Sequence, residues 1–161
     1  MFRRVTLLAA VLAVLSLVVA GVAWAKTDFG NNRANTLVGS SSTDHLWGLG
    51  GKDTIRGLES GDYLYGGRGP DTVYGGSGNE VVVSGGRGGD DLRGGGDDDY
   101  VQGGKGPDII RGSDGDDDLN GVDNVEGNDF VTGGDGTDNC EADSIEEIDT
   151  ETCETSNLPL P

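Results

Sequence analysis

Between Gly85 and Arg111 the chain reads GGRGGDDLR, GGGDDDYVQ and GGKGPDIIR, three consecutive nine-residue units of the form Gly-Gly-x-Gly-x-Asp-x-apolar-x. A period this short constrains the fold more than any other feature. A nine-residue unit cannot bury its own apolar side chain, so it must stack on its neighbours, and the chain is expected to be a solenoid. Glycines in the first positions admit positive φ and close backbone approach, which predicts a tight turn over the first six. The three remaining positions leave room for one short strand, whose middle side chain points opposite to the two beside it.

The units run end to end along the chain. GNNRANTLV, GSSSTDHLW, GLGGKDTIR, GLESGDYLY and GGRGPDTVY fill residues 30–74 without a break. GGSGNEVVVS, residues 75–84, is one residue too long and has Glu80 in the place of Asp. After the three opening units comes GSDGDDDLN from Gly112, then GVDNVEGNDFVT over 121–132 with three extra residues, then GGDGTDNCE from Gly133, which makes about twelve units. The eighth positions are Leu37, Leu46, Ile55, Leu64, Val73, Val82, Leu92, Val101, Ile110, Leu119, Val131 and Cys140, eleven of twelve aliphatic. That regularity separates the chain from a disordered Gly/Asp-rich sequence, which its composition alone would suggest.

These units resemble the RTX (haemolysin-type) calcium-binding repeat. The resemblance implies an all-β fold, a right-handed parallel β-roll solenoid in which two units make one coil. It also implies several Ca²⁺ ions as cofactors, seated between the turns of successive coils and held by the sixth-position aspartate and backbone carbonyls. Carried onto this chain, the metal ligands are Asp44, Asp53, Asp62, Asp71, Asp90, Asp99, Asp108, Asp117, Asp129 and Asp138. Oxygen-only ligands at turns suit Ca²⁺ better than Mg²⁺, which keeps its waters and demands a strict octahedron. Without a cation, equivalent carboxylates on neighbouring coils lie about 5 Å apart and repel by about 1 kcal/mol even in water. The chain is therefore expected to be largely unfolded without calcium and folded with it.

Alternate units share an edge of such a roll. One edge, with Asp53, Asp71, Asp90 and Asp108, follows the repeat pattern most closely and is expected to hold the tighter sites. The other has Ser or Leu in place of several second glycines and Glu80 in place of Asp, and is expected to be weaker except around Asp99 and Asp117. Asn35 lacks a charge, which makes the first coil an N-terminal cap.

The rest of the chain bounds compartment and partners. Residues 1–25 read as a secretory signal peptide: Arg3 and Arg4 precede an apolar run, and Ala23-Trp24-Ala25 forms a small-x-small cleavage site. The alternative is an uncleaved anchor. On cleavage, no remaining segment crosses a membrane and the protein is secreted or stays at the cell envelope. Removing those residues leaves 9 basic and 29 acidic residues, net −20, which argues for cations as partners and against nucleic acid. Residues 26–29 form a short lead, 30–141 the roll, and 142–161 a C-terminal cap and tail. In a secreted chain, the two cysteines Cys140 and Cys153 are expected to form a disulfide that ties the tail over the last coil, the alternative being two free thiols.

Seventh and ninth positions point outward and sort onto two sheets. One shows Thr36, Thr54 and Thr72 beside Arg56, Tyr74, Arg93 and Arg111. The other shows His45, Trp47, Tyr63, Tyr65, Val81, Val83 and Tyr100. Within the second group, Trp47, Tyr63, Tyr65, Val83 and Tyr100 form a candidate contact face for a protein, a cell-surface ligand or self-association. The plainer account is that aromatic and β-branched residues suit strands and stack across them. His45, the single histidine, is expected on a strand beside the calcium ligand Asp44, whereas a triad needs a pocket, an oxyanion hole and a base not committed elsewhere; HExxH and GxSxG are absent, and the chain is not expected to be an enzyme.

Overall fold

A computed structural model describes residues 24–157 apart from 81, 126, 127, 145–147, 150 and 151. The signal-peptide expectation falls outside these residues except at its last two positions. The described residues form fourteen strands: β1 Thr27–Asn31, β2 Thr36–Val38, β3 His45–Gly50, β4 Thr54–Glu59, β5 Tyr63–Arg68, β6 Thr72–Ser77, β7 Val82–Arg87, β8 Asp91–Gly96, β9 Tyr100–Lys105, β10 Ile109–Asp114, β11 Asp118–Asn120, β12 Phe130–Asp135, β13 Asn139–Glu141 and β14 Thr155–Asn157. Among the described residues there is no helix. Odd-numbered strands from β1 to β13, followed by β14, pair into one eight-stranded sheet, and the even strands β2 to β12 into a six-stranded sheet. All pairings are parallel, so the chain is an all-β solenoid of about six turns.

The two sheets face each other across a column of aliphatic side chains. Leu46, Leu64, Val83, Val101 and Leu119 project from the eight-stranded sheet, and Ile55, Val73, Leu92, Ile110 and Val131 from the other, all fully buried. Registers such as Leu46↔Leu64 and Ile55↔Val73 place like on like in successive coils.

Among the described residues, nine strands, β3 to β10 and β12, are six residues long where three were expected. In β3, Leu46, Gly48 and Gly50 alternate inward, so the first glycine of each unit is a core position and the strand runs on to the third position of the next unit. Gly48 has no alternative there: a Cβ would lie 2.5 Å from the Gly66 carbonyl oxygen and hard against Asp53 Oδ2. Second and fourth positions hold the left-handed conformation, as at Gly67 (φ 112°) and Gly69 (φ 111°). Where the sequence departs from glycine, Leu49, Leu58, Ser60, Asp97 and Ser113 take the same positive φ. Each such residue carries about 1–2 kcal/mol of backbone strain.

The long unit at 75–84 corrects one reading. Val83, not Val82, is buried, and β7 pairs Tyr63↔Val82 and Leu64↔Val83. The one-residue shift exchanges Val82 and Val83 within this unit, and from Gly85 onward the units keep the expected parity, with Leu92 and Val101 inward. Val83 is therefore removed from the contact face, and Val82 takes the outward place; Val81 lies outside the described residues.

Segments on either side of the repeats continue the sheets. The short lead contributes β1, with Thr27↔His45 and Phe29↔Trp47. At the other end, β14 adds to β13, and Ile148 bridges to Val131 on β12. Cys140 and Cys153 are joined in a disulfide with Cα atoms 5.9 Å apart.

Candidate calcium-binding edges

Two edges close the roll. Turns from each odd strand to the next even strand form a first edge carrying Asn35, Asp53, Asp71, Asp90, Asp108 and Asp129. Turns from even to odd form a second edge carrying Asp44, Asp62, Glu80, Asp99, Asp117 and Asp138. Every one of these acidic side chains is buried, with no more than 8 % of its surface exposed. The six-residue strand places it there: the carboxylate turns inward into the space left by the first-position glycine of its own unit.

Along the first edge the carboxylates form a continuous ladder. Oδ1 of each aspartate accepts the backbone N–H of the equivalent residue one coil earlier. Asn35 donates to Asp53 at 2.7 Å, and Asp53 to Asp71, Asp71 to Asp90, Asp90 to Asp108 and Asp108 to Asp129 each at 2.8 Å. On the second edge Asp44 donates to Asp62 at 2.7 Å, while Glu80 to Asp99, Asp99 to Asp117 and Asp117 to Asp138 each span 2.9 Å. Between Asp62 and Glu80 no such rung exists among the described residues, because the longer Glu80 side chain and the extra residue break the repeat geometry.

The second carboxylate oxygen is the telling atom. Oδ2 of Asp53, Asp62, Asp71, Asp90, Asp99, Asp108 and Asp117 is buried and accepts no hydrogen bond. A buried ionised oxygen without a partner is costly, and native proteins pair such oxygens or give them to a metal. Burial, ahead of neighbouring charge, accordingly raises these carboxyls: Asp62, Asp71 and Asp90 to about 6, and Asp108 and Asp117 to about 7. Asp53, Asp99 and Asp138 move in the same direction for the same leading reason. Glu80, buried beside Asp99, is pushed to about 10. Columns of buried carboxylate oxygens fit a hard divalent cation bound by oxygen alone, which is the ligand preference of Ca²⁺.

The ends of the ladders are built differently. Asp44 is served by the protein itself: Oδ1 accepts the Lys26 backbone N–H and a 3.1 Å bond from Ser40 Oγ, and Oδ2 accepts the Ser40 N–H at 2.5 Å. At the far end Glu154, from the tail, accepts the Asp138 N–H at 2.6 Å and continues the second-edge ladder. On the first edge, Asp123 and Asp143 come together with Asp129, their carboxylate oxygens all within 4.8 Å of one another. Asp143 Oδ2 also accepts the N–H groups of Asp123 and Asn124 at 2.9 and 2.6 Å. Burial would raise Asp123, but hydrogen bonds from the Gly106 N–H, Asn128 and the Val125 N–H outweigh it and hold the carboxyl low. Sequence reasoning missed Asp123, Asp143 and Glu154 because they lie off the period; the three extra residues before Asp129 were the available signal for Asp123.

On the outer face of the eight-stranded sheet the aromatic residues stack face to face. Trp47 lies between Phe29 (4.7 Å between centroids) and Tyr65 (5.7 Å), and His45 stacks on Tyr63 at 4.4 Å and on Trp47 at 5.7 Å. Tyr100 sits farther along, on β9 beside Asp118 and outside this stack. On the six-stranded sheet Tyr74 is covered by Arg56 and Arg93, each guanidinium carbon 5.4 Å from the ring centre.

No curated protein and no solved structure matches the chain. The family model of the RTX calcium-binding nonapeptide repeat matches it in four copies, over residues 29–59, 56–92, 93–123 and 126–144. With buried carboxylates stacked coil on coil over the same span, the chain belongs to the RTX calcium-binding nonapeptide repeat family.

Proposed function

We propose that this is a secreted calcium-binding protein whose folding is coupled to Ca²⁺ binding between stacked turns. The observation that carries the reading is the set of seven buried Oδ2 atoms without a hydrogen-bond partner, repeated coil after coil on both edges. Asp53, Asp62, Asp71, Asp90, Asp99, Asp108 and Asp117 would hold the ions, with Asp129 and Asp138 at the C-terminal end and Asp44 at the N-terminal end, where the chain's own donors already satisfy it. Bound calcium supplies positive charge between like-charged carboxylates and crosslinks coil to coil. The chain's contribution is to hold Oδ1 on the amide ladder in the folded roll, which leaves Oδ2 free for the ion. Calcium binding to the wild type and to Asp71→Asn/Asp90→Asn, followed by isothermal titration, tests this: the double variant should bind fewer ions, and an unchanged stoichiometry and affinity would reject the assignment.

Residues 1–25 act as a signal peptide in this reading, residues 30–141 as the calcium-binding roll and 142–161 as its cap. Among the described residues no helix is long and apolar enough to cross a membrane. Amino-terminal sequencing of exported protein should begin at Lys26. In this reading His45 serves the aromatic stack through Trp47 and Tyr63, with Thr27 as its other cross-strand partner.

A second reading rests on that stack. Phe29, Trp47, Tyr65, His45 and Tyr63 form one continuous aromatic surface, with Phe29 59 % exposed. It favours an extracellular adhesion or self-assembly module in which calcium is purely structural. Sedimentation of the calcium-loaded protein over a wide concentration range separates the readings: association abolished by Trp47→Ser supports the module, and a monomer at every concentration removes self-assembly through this face.

A further inference from the structure

The fold sorts charge between its two edges. Of the nine basic residues beyond Ala25, Arg33, Lys52, Arg68, Arg87 and Lys105 all lie on the first edge, and all five are exposed. The second-edge turns carry no Lys or Arg, and expose Glu59, Asp97, Asp98, Asp114, Asp116 and Asp135 instead. Within the basic row, Arg68, Arg87 and Lys105 are direct cross-strand neighbours on β5, β7 and β9. Like charges set opposite one another across a ladder are destabilising unless something neutralises them. Yet the ion pairs among the described residues, Lys26–Asp28, Arg93–Asp91 and Arg111–Asp91, involve none of the five.

The row is a line, not a patch. It follows five successive coils, about 20 Å at one strand spacing per coil, along an edge about 10 Å wide. A strip on the order of 200 Å² is far below the roughly 800 Å² per partner of a stable protein interface, so a second copy or a folded partner is a poor match. A single extended polymer with regularly spaced anionic groups needs only such a strip. The first-edge turns carry no aromatic side chain on which a nucleic-acid base could stack. They do carry a groove of about 220 Å³ lined by Lys52, Pro70, Gly89 and Pro107 together with Asp71 and Asp90, whose carboxylates are buried and belong to the proposed calcium sites. Asp91 also lines that groove, but its carboxylate is engaged by Arg111 at 2.6 Å.

We infer that the first edge is a docking strip for a linear acidic polysaccharide, bound by Arg33, Lys52, Arg68, Arg87 and Lys105. The test measures binding of heparin to the calcium-loaded protein at low ionic strength, with neutral dextran and oligothymidylate as competitors. Arg68→Gln/Arg87→Gln should weaken heparin binding about tenfold and reduce the slope of log affinity against log salt by about two. Arg56→Gln/Arg93→Gln removes the same charge from the six-stranded sheet and should leave affinity within about threefold. Lys52→Gln/Lys105→Gln supplies a second row pair should the first fail to give the calcium-loaded circular dichroism spectrum. No heparin binding by the wild type, equal loss in the row and sheet variants, or tighter binding of oligothymidylate than of heparin would each overturn the inference.

Discussion

Replacing Gly48 by alanine should cost far more than a methyl group normally does. The added Cβ would stand 2.5 Å from the Gly66 carbonyl oxygen and against Asp53 Oδ2. Neither neighbour can move freely: the carbonyl belongs to β5, and Asp53 is fully buried and held through Oδ1 by the Asn35 N–H at 2.7 Å. Overpacking of this kind costs about 1–3 kcal/mol. Displacing the carboxylate adds the loss of a charge-assisted hydrogen bond, about 1.5–3 kcal/mol. Against this stands about 0.5–1 kcal/mol gained by restricting the unfolded chain, leaving a net loss of about 2–5 kcal/mol. Gly96→Ala is the matched control. It lies on β8, a Cβ there meets nothing within 4 Å, and only the favourable term applies. Urea unfolding at fixed, saturating calcium reads the difference. If Gly48→Ala falls within 1 kcal/mol of Gly96→Ala, the carboxylate does not occupy the space assigned to it, and the ladder described above is wrong.

Three further outcomes follow from the same geometry. Because burial raises the carboxyls of Asp71 to about 6 and Asp108 to about 7, above the ordinary 3.8, their contribution to the calcium-free fold is fully present below about pH 4 and is lost as pH rises through 6 to 7. In chelator, residual structure should therefore increase on acidification, while the calcium midpoint should move to higher calcium; circular dichroism at several pH values reads both. Val83→Ala should destabilise by about 2 kcal/mol and Val82→Ala by under 0.5, measured by urea denaturation, since only Val83 is in the core. Reduction of Cys140–Cys153, which closes a loop of 13 residues, should lower stability by about 3 kcal/mol and release the tail strand, seen as faster amide exchange at Thr155 to Asn157.

The period made most of this architecture legible in the sequence. A nine-residue repeat with one aliphatic position admits few packings, so parallel stacking, the two edges and the aliphatic column could be read from Leu37 to Cys140. Parity failed where the pattern lost contrast. Three consecutive valines at 81–83 carry no alternation, so the side of the strand that absorbs the extra residue cannot be read, and Val82 and Val83 exchanged places. Strand length was underestimated because the glycines at positions one and two advertise a turn, whereas the parallel ladder runs through them with Gly67 in a left-handed conformation. Phe29, Glu154, Asp123 and Asp143 were missed for a shared reason. They lie outside the repeat and reach their places through pairing at the ends of the roll, or through the inserted segment, which only the tertiary structure displays. The sorting of Arg68, Arg87 and Lys105 onto one edge was present in the sequence at every second unit, but net charge concealed it.

The central claim is that calcium belongs to the fold, and far-UV circular dichroism during titration with Ca²⁺, with Mg²⁺ as control, tests it most directly. The account predicts a largely disordered spectrum in chelator and a cooperative gain of β signal that Mg²⁺ does not reproduce. A β spectrum already complete in chelator would contradict it, and would mean that the aliphatic column, the amide-to-carboxylate ladders and the disulfide suffice to hold the roll.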